Sequence, residues 1–140
     1  MRLPDWNDRL QALIRERRLT PFDWGTHDCV LWSADCVLAV TGVDLGSGHR
    51  GTYSTASGAV RRLRRLGFAS TADLADRHLG ERTHRAMARL GDIVALPDGG
   101  GMGPALGVCY GATSLFVGST AESHGLVVVD TRDAEHCYRT

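Results

Sequence analysis

Between residues 28 and 40 the chain is apolar on most of a helical circumference: Val30, Leu31, Trp32, Ala34, Cys36, Val37, Leu38, Ala39 and Val40. A helix that is hydrophobic nearly all round has to be buried. Any fold of this chain must therefore wrap its other elements around this segment, with Gly42 just past its end as the stop signal.

Period and punctuation place those elements. Pro4 and Asp5 open a first helix in which Trp6, Leu10, Leu13 and Ile14 recur at i, i+4, i+7 and i+8, with charge gathered from Arg15 to Arg18. Thr20-Pro21-Phe22-Asp23-Trp24-Gly25 ends it, because proline cannot continue the hydrogen-bond ladder and glycine permits a sharp turn. After a glycine-rich loop (Gly46, Gly48, Gly51) and Tyr53, either Ser54 or Thr55 caps a third helix that ends at Leu66-Gly67. Short helices are expected over residues 72–79 and 83–90. From Gly91 onward the pattern changes to short β-rich runs at 92–96, 106–110, 114–117 and 126–129, with a last strand around 137–139. Helices first and an antiparallel meander afterwards make an α+β class, the buried central helix packed across a C-terminal antiparallel sheet. With 140 residues there is material for one core, so residues 1–140 are read as a single domain.

Charge narrows the partners. Sixteen basic residues balance sixteen acidic ones, which argues against nucleic acid and against an acidic membrane surface. All the basic residues are arginine, a bias that fits a GC-rich coding genome and carries no mechanism. No apolar run approaches the roughly 20 residues of a membrane span, and the N-terminus lacks the apolar core of a signal peptide. A soluble protein made in the cytosol is expected. Arg61-Arg62-Leu63-Arg64-Arg65 invites a nucleic-acid reading, in which a basic adaptor would bind in a salt-sensitive way. Yet Val60, Leu63 and Leu66 mark a buried stripe and the arginines gather near a helix C-terminus, so a solvated face is preferred. Trp6, Trp24 and Trp32 read as packing residues. The run from Pro97 to Gly101 reads as a hairpin loop, too far from a helix start to cradle phosphate.

Four cysteines, Cys29, Cys36, Cys109 and Cys137, lack the paired spacings of a zinc site, and without a secretion signal a disulfide framework is not expected. Cys29 falls in Trp24-Gly25-Thr26-His27-Asp28-Cys29, in the first turn of the central helix, where unpaired N–H groups and the helix dipole favour a thiolate. That position suits a nucleophile and equally a small packed side chain. Asp28 puts a negative charge beside the thiol or serves as helix cap. Cys36 lies two turns on, about 10 Å away along the axis, and with Cys109 and Cys137 it reads as core. His49, His78, His84 and His136 have no partners at metal-ligand spacing and read as surface or loop residues. No metal and no cofactor is expected.

Taken in order, these segments resemble the NlpC-type papain-like cysteine peptidases. Gly25 to Cys29 resembles their Gly-x-Asp-Cys opening of the central helix. Arg89-Leu90-Gly91-Asp92-Ile93-Val94 resembles the Gly-Asp that leads into their first long strand. Ala105-Leu106-Gly107-Val108-Cys109-Tyr110-Gly111 resembles the strand that begins with the catalytic histidine. Leu115-Phe116-Val117-Gly118-Ser119 resembles the strand carrying the third polar residue. The resemblance implies Cys29 as nucleophile, with Ala105 where the histidine belongs and Gly118 where its orienting residue belongs. A thiol without a base is only a few per cent ionised at neutral pH, and general acid catalysis typically supplies about 100- to 10,000-fold, so amide cleavage should be negligible. His27 or His124 could substitute if its loop folds inward.

Small domains of this kind, with a kept cysteine and a Trp-Gly-x-x-Asp-Cys opening, look like phage and prophage proteins encoded among tail genes. The expectation is a virion tail component, made in the host bacterial cytoplasm. It would pack against hub, distal tail or fibre proteins and keep the peptidase fold without its activity. The alternative is an active hydrolase of peptidoglycan peptides with Cys29 as nucleophile.

Overall fold

The computed structural model describes residues 1–97, 101–118 and 125–140. Four helices precede the long strands: α1 (Trp6–Arg17), α2 (Cys29–Thr41), α3 (Ala56–Arg65) and α4 (Thr71–Leu79). Six strands follow: β1 (Thr83–His84), β2 (Ile93–Leu96), β3 (Ala105–Cys109), β4 (Thr113–Val117), β5 (Leu126–Asp130) and β6 (His136–Tyr138). All their pairings are antiparallel, and the architecture is α+β.

Local chemistry sets the helix ends. Asp28, Thr55 and Ser70 each accept a backbone N–H from the first turn of α2, α3 and α4 in turn. At the other end of α2, Gly42 takes a left-handed conformation, φ 79°, and its N–H closes on the carbonyl of Leu38. The cap of α3 is therefore Thr55, one of the two residues the sequence offered.

Two expectations are corrected. Residues 83–90 are not a helix. None of them is fully buried, so a helix there would have no apolar face to pack. Instead Thr83 and His84 pair with Cys137 and His136. His84 Nδ1 then accepts the Ala86 N–H at 3.1 Å, capping a single 3-10 turn over Arg85–Met87 that the Ala88 N–H closes on the Arg85 carbonyl. Nor is the sheet a simple meander. Strands β2 to β5 are neighbours in chain order, but β6 returns to lie between β1 and β2, giving the order β1-β6-β2-β3-β4-β5. Cys137 and Tyr138, both fully buried, account for that inward placement. The expected hairpin loop at 97–101 falls largely on residues 98–100, outside the described residues.

Alternation along the strands divides the core in two. Ile93, Ala95, Leu106, Val108 and Tyr138 face the helices and enclose Leu10, Trp32, Cys36 and Val40. Val94, Cys109, Phe116 and Cys137 form a smaller cluster on the opposite face. Cys36, Cys109 and Cys137 are thus core thiols, as their positions suggest. Of the three tryptophans only Trp32 is fully buried, its indole N–H donating to the Leu115 carbonyl at 3.1 Å. Trp6 is partly covered by the Arg2 guanidinium, 4.3 Å above its ring, and Trp24 stands edge-on to Phe22.

The direction of α2 fixes what it presents at each end of the sheet. Its last turn lies near the start of β2, for Val40 accepts the Leu3 N–H at 2.8 Å while Arg2 reaches the Leu90 carbonyl and Asp92. Asp92 is fully buried; Oδ1 takes Arg2 Nη2 at 2.9 Å and the Thr140 N–H at 3.2 Å, and Oδ2 takes the Arg89 N–H at 2.9 Å. The first turn of α2 accordingly lies toward the opposite end, where β2 finishes and β3 begins. No described helix is long and apolar enough to cross a membrane.

Candidate functional site

Cys29 is the first residue of α2 and is half-buried, set at the sheet end just defined. The turn before it is built by Asp28, whose carboxylate is 1% exposed. Asp28 Oδ1 accepts the Leu31 N–H at 3.0 Å; Oδ2 accepts the Gly25 N–H at 3.0 Å and the Tyr53 hydroxyl at 2.6 Å. Asp28 is therefore the helix cap, and its negative charge is enclosed by three donors. Gly25 is required here: its φ is 85°, and a Cβ would collide with the Tyr53 carbonyl.

Tyr53 was not foreseen as part of this site. Burial, then the hydrogen bond to Asp28 and its charge, then the neighbouring Cys29, push its pKa far up, so it remains a phenol beside the thiol. A contact across 25 residues leaves no trace in local pattern; Tyr53 following a glycine-rich loop was the only cue.

His27 is buried, 3% exposed, with its ring edge-on to Trp32. Its Nδ1 faces Arg17 Nη1 at 3.4 Å. Guanidinium can only donate, so Nδ1 holds the lone pair and the proton sits on Nε2, which is buried without a hydrogen-bond partner among the described residues. Burial first and Arg17 next depress its pKa, against smaller opposing effects of Asp35 and Asp28. Arg17 also bridges to Asp35 at 3.0 Å; Asp35 takes Arg50 at 2.5 Å, and Arg50 reaches Asp44 at 3.0 Å. His27 is thereby engaged with a cation, a poor setting for a base.

Ala105 opens β3, opposite Leu96, and Gly118 follows β4. β3 and β4 are antiparallel, with Val108 opposite Leu115 and Cys109 opposite Ser114, so the start of β3 and the end of β4 lie at the same end of the sheet. Cys29, Ala105 and Gly118 therefore belong to one end of the molecule. His124, the other candidate base, lies outside the described residues.

Of the remaining histidines, His49 and His78 border one cleft and the others lie apart. His84 is exposed in β1, and His78 is a surface residue, as expected, on α4. His136 is partly buried in β6, its Nε2 3.0 Å from the Tyr138 hydroxyl. His49 is half-buried, with Nδ1 3.2 Å from Arg62 Nη2. No group of three His, Cys, Asp or Glu side chains among the described residues could hold a metal ion. Arg62 corrects the reading of residues 61–65 as a uniformly solvated face: the buried positions of α3 are Ala59 and Leu63, Leu66 is exposed, and Arg62 turns inward to an apolar cleft.

Comparison with curated proteins finds no match. Matched from residue 1 to residue 140 by the family model DUF6950, described as a domain of unknown function, the chain belongs to that family.

Proposed function

We propose that this chain is a papain-like, NlpC-type scaffold that serves as a tail-tip or tail-assembly component of a phage or phage-like particle and does not cleave peptide bonds. One observation carries the reading. At the sheet end that presents Cys29, the two positions where such a hydrolase would hold its base and orienting residue carry the methyl of Ala105 and the hydrogen of Gly118. His27 offers no replacement, since its lone pair faces Arg17 and its pKa is lowered. Cys29 is then a retained thiol, and the surface around it contacts hub, distal tail or fibre proteins.

The placement of Cys29 in the first turn of a 13-residue helix favours a second reading, a hydrolase of peptidoglycan peptides with Cys29 as nucleophile and His124 as base. Alkylation of Cys29 against pH, read by mass spectrometry with buried Cys36 as internal control, separates the two. The scaffold reading expects a midpoint at or above the ordinary thiol value near 8.5. A midpoint well below 7 that disappears in His124→Ala overturns it in favour of the hydrolase. The tail assignment is tested by mass spectrometry of particles from a phage encoding this chain; absence from purified virions and from tail-assembly intermediates overturns it.

A further inference from the structure

Running from the first turn of α2 between α2, α3 and α4 is a cleft, open to solvent, with a cavity volume of about 90 Å³. Its walls are almost wholly apolar, with Val37, Ala59, Leu63, Leu74 and Ala75 on the helices and Ile93 at the floor. Three of the polar side chains on its walls are already occupied. Asp28 holds Gly25, Leu31 and Tyr53; Ser33 Oγ donates to the Cys29 carbonyl at 2.9 Å; Thr71 Oγ1 donates to the Pro104 carbonyl at 2.5 Å. Along these apolar walls a peptide backbone would find no free hydrogen-bond partner and would be left unsatisfied at a cost a hydrocarbon does not incur.

Charge sits at one side of the cleft. Arg62, His49 and His78 all line it, and the first and last lie close enough to His49 to depress its pKa, after burial. Arg62 Nη2 donates to the Gly48 carbonyl at 3.2 Å and faces His49 Nδ1, which must therefore accept. Its Nε is buried with no hydrogen-bond partner, and among the described residues no carboxylate pairs with its guanidinium. A guanidinium that borders an apolar cleft beside imidazoles, with no carboxylate partner among the described residues, calls for an anion that brings its own negative charge.

We propose that this cleft binds an unbranched alkyl carboxylate, in chemical class a medium-chain fatty acid. Its carboxylate sits on Arg62 between His49 and His78, and its chain lies among Ala59, Leu63, Leu74 and Ala75. The lining selects the chain: Val37, Ala59, Leu63, Leu74 and Ala75 offer only apolar contacts, which a polymethylene tail satisfies without leaving a polar group unpaired. The assignment goes beyond the tail reading and holds whichever role Cys29 has.

The test is calorimetric titration of the folded protein with decanoate below its micelle concentration, alongside 1-decanol and a short peptide ending in Leu. Saturable decanoate binding is expected, weakened roughly 10- to 100-fold by Arg62→Gln, with decanol binding unchanged by that substitution. Leu66→Glu, at an exposed position lining the cleft, adds a negative charge without touching the core and should weaken decanoate in the same way. The proposal is overturned if wild-type protein shows no saturable decanoate binding or if neither substitution weakens it. Preference for the Leu-terminated peptide also overturns it and assigns the cleft to a protein partner.

Discussion

Asp28 organises the approach to α2 through three acceptor contacts, and its removal should be felt out of proportion to its size. Asp28→Ala strands the Gly25 and Leu31 N–H groups and the Tyr53 hydroxyl at a buried point, with an expected loss of about 2–4 kcal/mol. Tyr53→Phe removes only one donor and should cost about 1–2 kcal/mol. Urea denaturation of the two variants checks the ranking; equal losses would mean that the cap bonds contribute little. At this scale the sequence was informative where partners are near in the chain. An aspartate ahead of an apolar helix reads as a cap, and Asp28 is one. Tyr53 and Arg62 act through tertiary contacts, and an arginine in a basic run gives no sign that its neighbour in space will be an imidazole instead of water.

Among the elements, those with a strong period and clear stops were legible. The all-round apolar pattern of α2 and its closing glycine place it within a residue or two. Gly42→Ala should cost about 1 kcal/mol, since the left-handed cap is strained for any residue with a Cβ and the nearest atoms, those of Leu3, stand at 3.4 Å or more. Gly25→Ala should cost more than Gly42→Ala, because there the obstacle is the Tyr53 backbone. Thermal unfolding of both tests the order. Segment 83–90 misled because short alternating patterns suit a helix turn or an edge strand alike; the partner, β6, lies some fifty residues on and decides the outcome. The same long-range pairing makes β6 an interior strand, which no local rule could announce. The order of motifs singled out Cys29, Ala105 and Gly118 as candidate positions, whereas the engagement of His27 with Arg17 depends on how α1 lies across α2.

For the molecule as a whole, protonation has a definite sign. His27, His49 and His136 all have folded pKa values below the ordinary 6.5, each chiefly through burial. Below about pH 6.5 the unfolded chain binds more protons than the folded one at these sites, so their contribution to stability is present above that pH and is lost as pH falls through the folded values. Urea midpoints should therefore hold steady from pH 8 to 7 and decline from about 6.5 to 5, with a shallower decline in His49→Gln; a flat profile would contradict the assignment. Asp76, held low by Arg82, acts in a separate and more acidic window. The clasp on Asp92 has a consequence for how the chain is threaded. Arg2 and Thr140 meet on one buried carboxylate, so two residues at opposite ends of the sequence are neighbours in space. Substitution of Asp92 would therefore loosen the chain at residues 2 and 140 together, although they are 138 positions apart in sequence.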